Sequence, residues 1–174
     1  MQHYWTIHTV PRMGRTSPDA RECLPAKALF ETFPRLLELL KTPNLGDKEI
    51  VAGLFSWFKS TSFGDPPKTR AEVGLALRCS VSSSIFQACK KLANEFRTEP
   101  FLFQLLITRM LDDDGQALIL LDPEAQEHYI LEQNELRLTQ YQFVTVQVLK
   151  TFDAERGSSL KNWTHLQVRQ HPET

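Results

Sequence analysis

Apolar residues recur three or four positions apart along most of this chain, and short breaks rich in Pro, Gly and Asp separate the segments that carry the pattern. That spacing is the signature of amphipathic helices that bury one face against each other. The first such segment, KALFETFPRLLELLK, has Leu29, Phe30, Phe33, Leu36, Leu37 and Leu40 in register, and Pro34 inside it predicts a kink or two short helices. Ser17, Pro18 and Asp19 just upstream have the chemistry of a helix start. After the break TPNLGD, Asp47 is a candidate cap for a helix with Ile50, Leu54, Trp57 and Phe58 on one face.

The loop TSFGDPP ends that helix, and Thr69 with Glu72 has capping-box spacing for the next. The serines of SVSSSIFQACKKLANEF predict caps at a helical joint, followed by a stripe of Ile85, Phe86, Cys89, Leu92, Ala93 and Phe96. PFLFQLLITRML is apolar nearly all round, which predicts the central helix of the core. Asp112, Asp113 and Asp114 then predict a solvated loop, since calcium-loop acids alternate rather than run consecutively. GQALILLD fits a strand or a helix equally. From 124 to 156 there is neither Gly nor Pro, which supports one or two substantial helices with a break near Asn134. His128 falls in that helical reading as a surface or interhelical contact. Residues 1–16, punctuated by Pro11 and Gly14, show no period and predict an irregular arm in which His3, Trp5 and His8 are loosely held.

The expected architecture is therefore all-α: an arm over 1–16 and a single-domain bundle of about seven or eight helices over 17–174. Composition agrees with one globular domain, at 41% apolar and 24% charged residues. The net charge of −1 supplies no overall attraction to nucleic acid or to an anionic membrane. Charge is unevenly placed, however: residues 1–100 hold fourteen Lys/Arg against ten Asp/Glu, and the rest hold six against eleven. Cys23, Cys79 and Cys89 lack metal-ligand or C-x-x-C spacing and are read as reduced thiols of a cytoplasmic protein. No run approaches the roughly 18–20 apolar residues of a membrane span. Phosphate-binding, dinucleotide-binding, zinc-protease and nucleophile-elbow motifs are all missing. The chain is accordingly expected to be non-enzymatic, with no metal and no small-molecule cofactor.

One segment is more specific. In VLKTFDAERGSSLKNWTHLQVRQH, residues 148–171, a helix with Val148, Leu149 and Phe152 meets Asp153. Gly157 can then adopt the left-handed conformation that ends a helix, and Ser158 or Ser159 can cap the next. Leu160, Trp163, Leu166 and Val168 give the second helix an apolar side, and Lys161, His165, Arg169 and His171 a basic one. Phe152, Asp153, Arg156 and Gly157, then Trp163, then Val168, Arg169 and Gln170, resemble region 2 of the sigma-70 family of RNA polymerase initiation factors. The segment departs from that family in having one aromatic in the second helix and no acidic cluster before the turn.

The resemblance implies a helical hairpin at about 136–171 that contacts RNA polymerase core, promoter DNA or both. Lys161, Trp163, His165, Arg169 and Gln170 would face nucleic acid, cations on phosphates and the tryptophan against an unpaired base. Tyr141, Asp153 and Arg156 would serve partner docking, with Asp153 and Arg156 also fixing the turn. The other reading of the same residues is a helical protein-interaction module, or a small subunit of a larger assembly, in which the hairpin is a connector.

Overall fold

The computed structural model describes residues 2–11, 18–42, 46–60, 66–96, 101–122, 127–133, 135–139 and 143–171. A 3-10 turn, Gln2–Tyr4, leads into β1, Thr6–Thr9, which pairs antiparallel with β2, Asp19–Glu22. Four helices follow: α1, Leu24–Thr32; α2, Pro34–Lys41; α3, Asp47–Phe58; and α4, Pro67–Glu95. After α5, Leu102–Met110, the chain forms a second antiparallel sheet of β3, Ile119–Leu121, β4, His128–Glu132, and β5, Glu135–Thr139, in that spatial order. It closes with α6, Val144–Thr151, a 3-10 turn, Ala154–Arg156, and α7, Leu160–Gln170.

The fold is therefore mixed, with two small sheets beside seven helices among the described residues, and the all-α expectation is corrected. Two local signals were misread. The segments on either side of the expected break, 128–132 and 135–139, pair as antiparallel strands, with Gln133 at φ 50°, so they form a β-hairpin rather than two helices; Asn134 itself lies outside the described residues. His128 accordingly sits in a strand. Within the segment read as an irregular arm, residues 2–11 are described, and there Tyr4 and Ile7 are fully buried and β1 lies against α4; residues 12–16 lie outside the described residues. Cys23 N–H donates to the Trp5 carbonyl at 2.7 Å, Tyr4 Oη donates to Asp47 Oδ1 at 2.5 Å, and His8 stacks on Phe86 with ring centroids 5.0 Å apart. These long-range bonds order a segment that has no periodicity of its own.

The axis of the core is α4, not α5. One unbroken 29-residue helix runs through the expected serine joint, and it touches α1, α3, α5, α6, α7, β1, β3 and β4. Its buried residues lie all around the helix, which requires small side chains wherever neighbours approach closely. The serines meet that requirement. Ser82 Oγ donates to the Cys79 carbonyl at 2.8 Å and accepts the His8 N–H at 3.0 Å, while Ser84 Oγ donates to the Ser80 carbonyl at 3.1 Å. Each hydroxyl thus finds a backbone partner without capping anything. The α5 helix buries Leu106, Ile107 and Met110 but leaves Leu105 exposed, with Phe101 also exposed just ahead of it. The break at Pro34 does give two helices, α1 and α2.

The consecutive acids divide between core and surface. Asp113 is fully buried and forms a two-pronged ion pair with Arg78, Nε to Oδ2 at 2.7 Å and Nη2 to Oδ1 at 2.5 Å. Arg78 also donates to the Ala117 carbonyl at 2.6 Å, and Asp113 accepts the Gly115 N–H at 2.9 Å and the Thr145 hydroxyl. Asp112 accepts the Val144 N–H at 3.1 Å, at the first turn of α6. Asp112 and Asp114 are exposed, as a solvated loop requires, with the Asp114 carboxylate on Gln116 N–H and its carbonyl on Arg21; Asp113 is the exception.

Candidate functional site: the closing hairpin and its groove

The ion-pair network sets where the last two helices lie. Through Asp112 and Asp113 the 112–115 loop holds the start of α6, and through Arg78 it holds α4, so the hairpin is fixed to the core at its first turn. Burial works against ionising Asp113, but the Arg78 guanidinium, the Thr145 hydroxyl and the Gly115 amide outweigh it and hold its carboxyl below the usual carboxylate range.

The turn itself forms from the residues expected to form it. Phe152 is buried, and its ring meets Phe55 edge-on at 5.2 Å, so the aromatic at the end of α6 is a core anchor. Asp153 Oδ1 accepts the Glu155 N–H at 3.0 Å, and Asp153 Oδ2 pairs with Arg156 Nε at 3.1 Å. Gly157 has φ 80°, a conformation costly for any residue with a Cβ. Ser159 caps α7 by accepting the Asn162 N–H at 3.1 Å. The hairpin spans α6 and α7, 144–170, and the first residues of the expected 136–171 range belong to β5 instead. Tyr141 lies outside the described residues.

The five residues assigned to nucleic acid divide between two faces. At roughly 100° per residue, Leu160, Thr164 and Val168 form the buried stripe of α7, which packs on α4. Lys161, His165 and Arg169 lie on one side of that stripe, and Trp163, Leu166 and Gln170 on the other. The single basic, tryptophan-bearing face expected from sequence is thus two faces. On the first, Arg169 is engaged with both oxygens of Glu95, at 2.7 and 2.6 Å. Burial lowers the His165 pKa, and Lys161, Lys91 of α4 and Arg169 lower it further, while its Nε2 is buried without a hydrogen-bond partner.

The second face opens on a groove of about 510 Å³ between the end of α3, α6, the turn and α7. Trp163 is half-buried there, and its Nε1–H donates to Thr151 Oγ1 at 3.3 Å. Leu166, Phe152 and Ser158 also line it, with three cations, Lys59, Lys150 and Arg156, and one acid, Asp153, which is paired with Arg156. Lys59 Nζ stands 4.7 Å over the Phe55 ring. Lys150 follows from its place two residues before Phe152, a signal present in the sequence. Lys59 arrives from the end of α3 and could not be placed without the tertiary contact of α3 with the turn.

His128 is 8% exposed in β4, its Nε2 has no partner, and burial and the nearby Lys150 lower its pKa. The three cysteines are free and buried. Among the described residues, no three His, Cys, Asp or Glu side chains gather as metal ligands would, and no helix is long and apolar enough to cross a membrane. Comparison of the chain with protein-family models, with curated proteins and with solved structures returns no match.

Proposed function

We propose that this is a non-enzymatic, sigma-like transcription protein of the cytoplasm that contacts RNA polymerase and DNA through the α6–α7 hairpin. The observation that carries the reading is the groove beside Trp163. It places one indole edge and three cations, Lys59, Lys150 and Arg156, on a single open surface. Cations at such a groove hold phosphates, and an aromatic half-exposed between them offers a face or edge to an unpaired base. The resemblance of Phe152, Asp153, Arg156 and Gly157 to the family's turn supports the same reading, and the geometry of that turn is compatible with it. Among residues 143–171 there are four Lys/Arg and two Asp/Glu, so the hairpin is locally basic in an otherwise slightly acidic chain.

The test is a pull-down with core RNA polymerase together with a single-stranded DNA titration at several salt concentrations. Retention of polymerase and an affinity that falls with salt support the proposal. No retention, with no DNA binding at low salt, removes it.

A protein-interaction module is the second reading. It is favoured by Phe96, Phe101 and Leu105, all exposed around the end of α4 and the start of α5.

A further inference from the structure

Among the described residues, the three-stranded sheet has an open side. Its order is β3-β4-β5, so β5 is an edge strand. Two backbone bonds settle which way its backbone points. Leu131 N–H donates to the Leu118 carbonyl at 2.8 Å, and Asp122 N–H donates to the Glu127 carbonyl at 2.9 Å. Residues 127 and 131 of the β4 hairpin arm therefore bond toward β3. Along a central antiparallel strand, successive residues bond alternately to the two neighbours. It follows that Tyr129 also bonds toward β3, and that His128, Ile130 and Glu132 bond toward β5. Their register partners are Thr139, Arg137 and Glu135. Leu136 and Leu138 consequently direct their N–H and C=O groups away from the sheet.

The side chains add a second, independent observation. Leu136 and Leu138 are 49% and 63% exposed, and they lie opposite Leu131 and Tyr129 on the same face. Natural edges are usually blunted by a lysine, a proline, a bulge or a covering element. None of these stands at Leu136 or Leu138 among the described residues. Alternation along the strands places Glu132, Glu135 and Arg137 on the opposite face of the hairpin, and Glu127 beside Tyr129 on the leucine face. Glu127 accepts from the Tyr129 hydroxyl at 3.1 Å, and Arg137 is shared between Glu132 and Glu135 at 3.6 and 3.7 Å, so one cation serves two carboxylates.

We infer that the β5 edge, through the outward backbone of Leu136 and Leu138, is a docking site for an extended segment of a partner protein in which apolar residues alternate with lysine or arginine. Main-chain bonds to the edge supply affinity, and alternate side chains supply selectivity. The partner's apolar residues would continue the Tyr129, Leu131, Leu136 and Leu138 face, and its cations, on the opposite face, would meet Glu132 and Glu135, whose two charges share the single cation Arg137. A second copy of this chain is the poorer occupant, because it would bring two acid-rich hairpins together. This surface is separate from the α6–α7 groove, and its use is independent of the transcription proposal.

The test uses isotope-labelled protein and a capped pentapeptide in which lysine alternates with leucine, at low salt. Saturable binding is expected, with hydrogen exchange slowed at the Leu136 and Leu138 amides and little changed at Arg137, which already bonds to β4. Leu138→Pro removes an outward N–H without cutting a bond to β4, and edge strands tolerate proline. It should weaken binding by about ten-fold or more, with an unchanged circular dichroism spectrum. A glutamate–leucine peptide should bind at least about ten-fold more weakly than the lysine form. Absence of binding, equal binding of the two peptides, or no protection at Leu136 and Leu138 overturns the inference. So does concentration-dependent dimerisation through this edge in the absence of peptide. Should Leu138→Pro misfold, the exchange pattern of the wild-type protein still decides.

Discussion

Arg78 and Asp113, 35 residues apart in the chain, meet as a fully buried ion pair at the point where α4, the 112–115 loop and the first turn of α6 converge. Every strong partner of the carboxylate is supplied: two guanidinium nitrogens, the Gly115 amide and the Thr145 hydroxyl. Removing one side of such a pair strands the other in a low-dielectric interior. Arg78→Met should therefore lower unfolding stability by about 3–5 kcal/mol, measured by urea denaturation. Arg78→Met with Asp113→Leu should cost less than the two single changes summed, since neither charge is then left alone. Strict additivity would show that the pair is not coupled.

The same carboxylate gives an acid dependence with a definite sign. Its folded pKa lies below the ordinary aspartate value of about 3.9, so its contribution is fully present above that value. The contribution is lost as pH falls from about 3.9 toward and through the depressed folded value, because the unfolded chain takes up its proton first. Urea midpoints between neutral pH and about pH 2 should fall more steeply for the wild type than for Asp113→Asn. Parallel curves would contradict this assignment of the charge.

Two glycines should respond to alanine in opposite directions. A Cβ at Gly74 would come within 2.5 Å of the buried Phe58 ring, so Gly74→Ala forces α3 and α4 apart or turns the ring. Overpacking of this kind outweighs the helix-propensity gain, for a net loss of about 1 kcal/mol. A Cβ at Gly53, on the exposed side of α3, meets nothing within 4 Å. Gly53→Ala should stabilise by about 0.5–1 kcal/mol. Thermal unfolding of the two variants reads both signs.

The groove and the basic side of α7 can be separated by substitution. If single-stranded DNA enters the groove, Lys59→Ala, Lys150→Ala and Arg156→Ala together should reduce the magnitude of the slope of log affinity against log salt by about 2. Lys161→Ala with Arg169→Ala should change it little, since these residues lie on the other side of α7 and Arg169 is held by Glu95. The reverse ranking would move the contact surface to the Lys161 side.

Trp163 offers a distinct readout. Because it is half-buried rather than core, Trp163→Ala should cost about 1–2 kcal/mol, well short of the 3–5 kcal/mol of a fully buried tryptophan. Its fluorescence should respond to DNA while a Lys161→Ala variant retains that response. A stability loss at the upper figure would place Trp163 inside the core.

Helix-forming segments were legible wherever a stripe was long, as in α1, α3 and the second half of α4. Most of the α6–α7 turn was legible, because Asp153 and Gly157 do locally what their side chain and backbone preferences dictate, while the choice of Ser159 over Ser158 as the cap was left open. The β-hairpin was not. The strand residues 128–132 and 135–139 lack Gly and Pro, as a helix would, and what makes them strands is the pairing of β4 with both β3 and β5, which neither segment's composition displays. Nor was Asp113, since three consecutive acids read as solvated until Arg78 is known to reach them.

Local chemistry alone determined the Ser159 cap, the turn at Gly157 and the apolar faces, because those depend on neighbours within about one helical turn, whereas the starts read at Asp19, Asp47 and Thr69 gave way to β2 and to N-caps at Gly46 and Pro66. Tertiary structure decided which helix is central, which acid is buried, and which lysines join Trp163. Burial, ion pairing and strand registry are energies between residues far apart in the chain, so no single segment carries them.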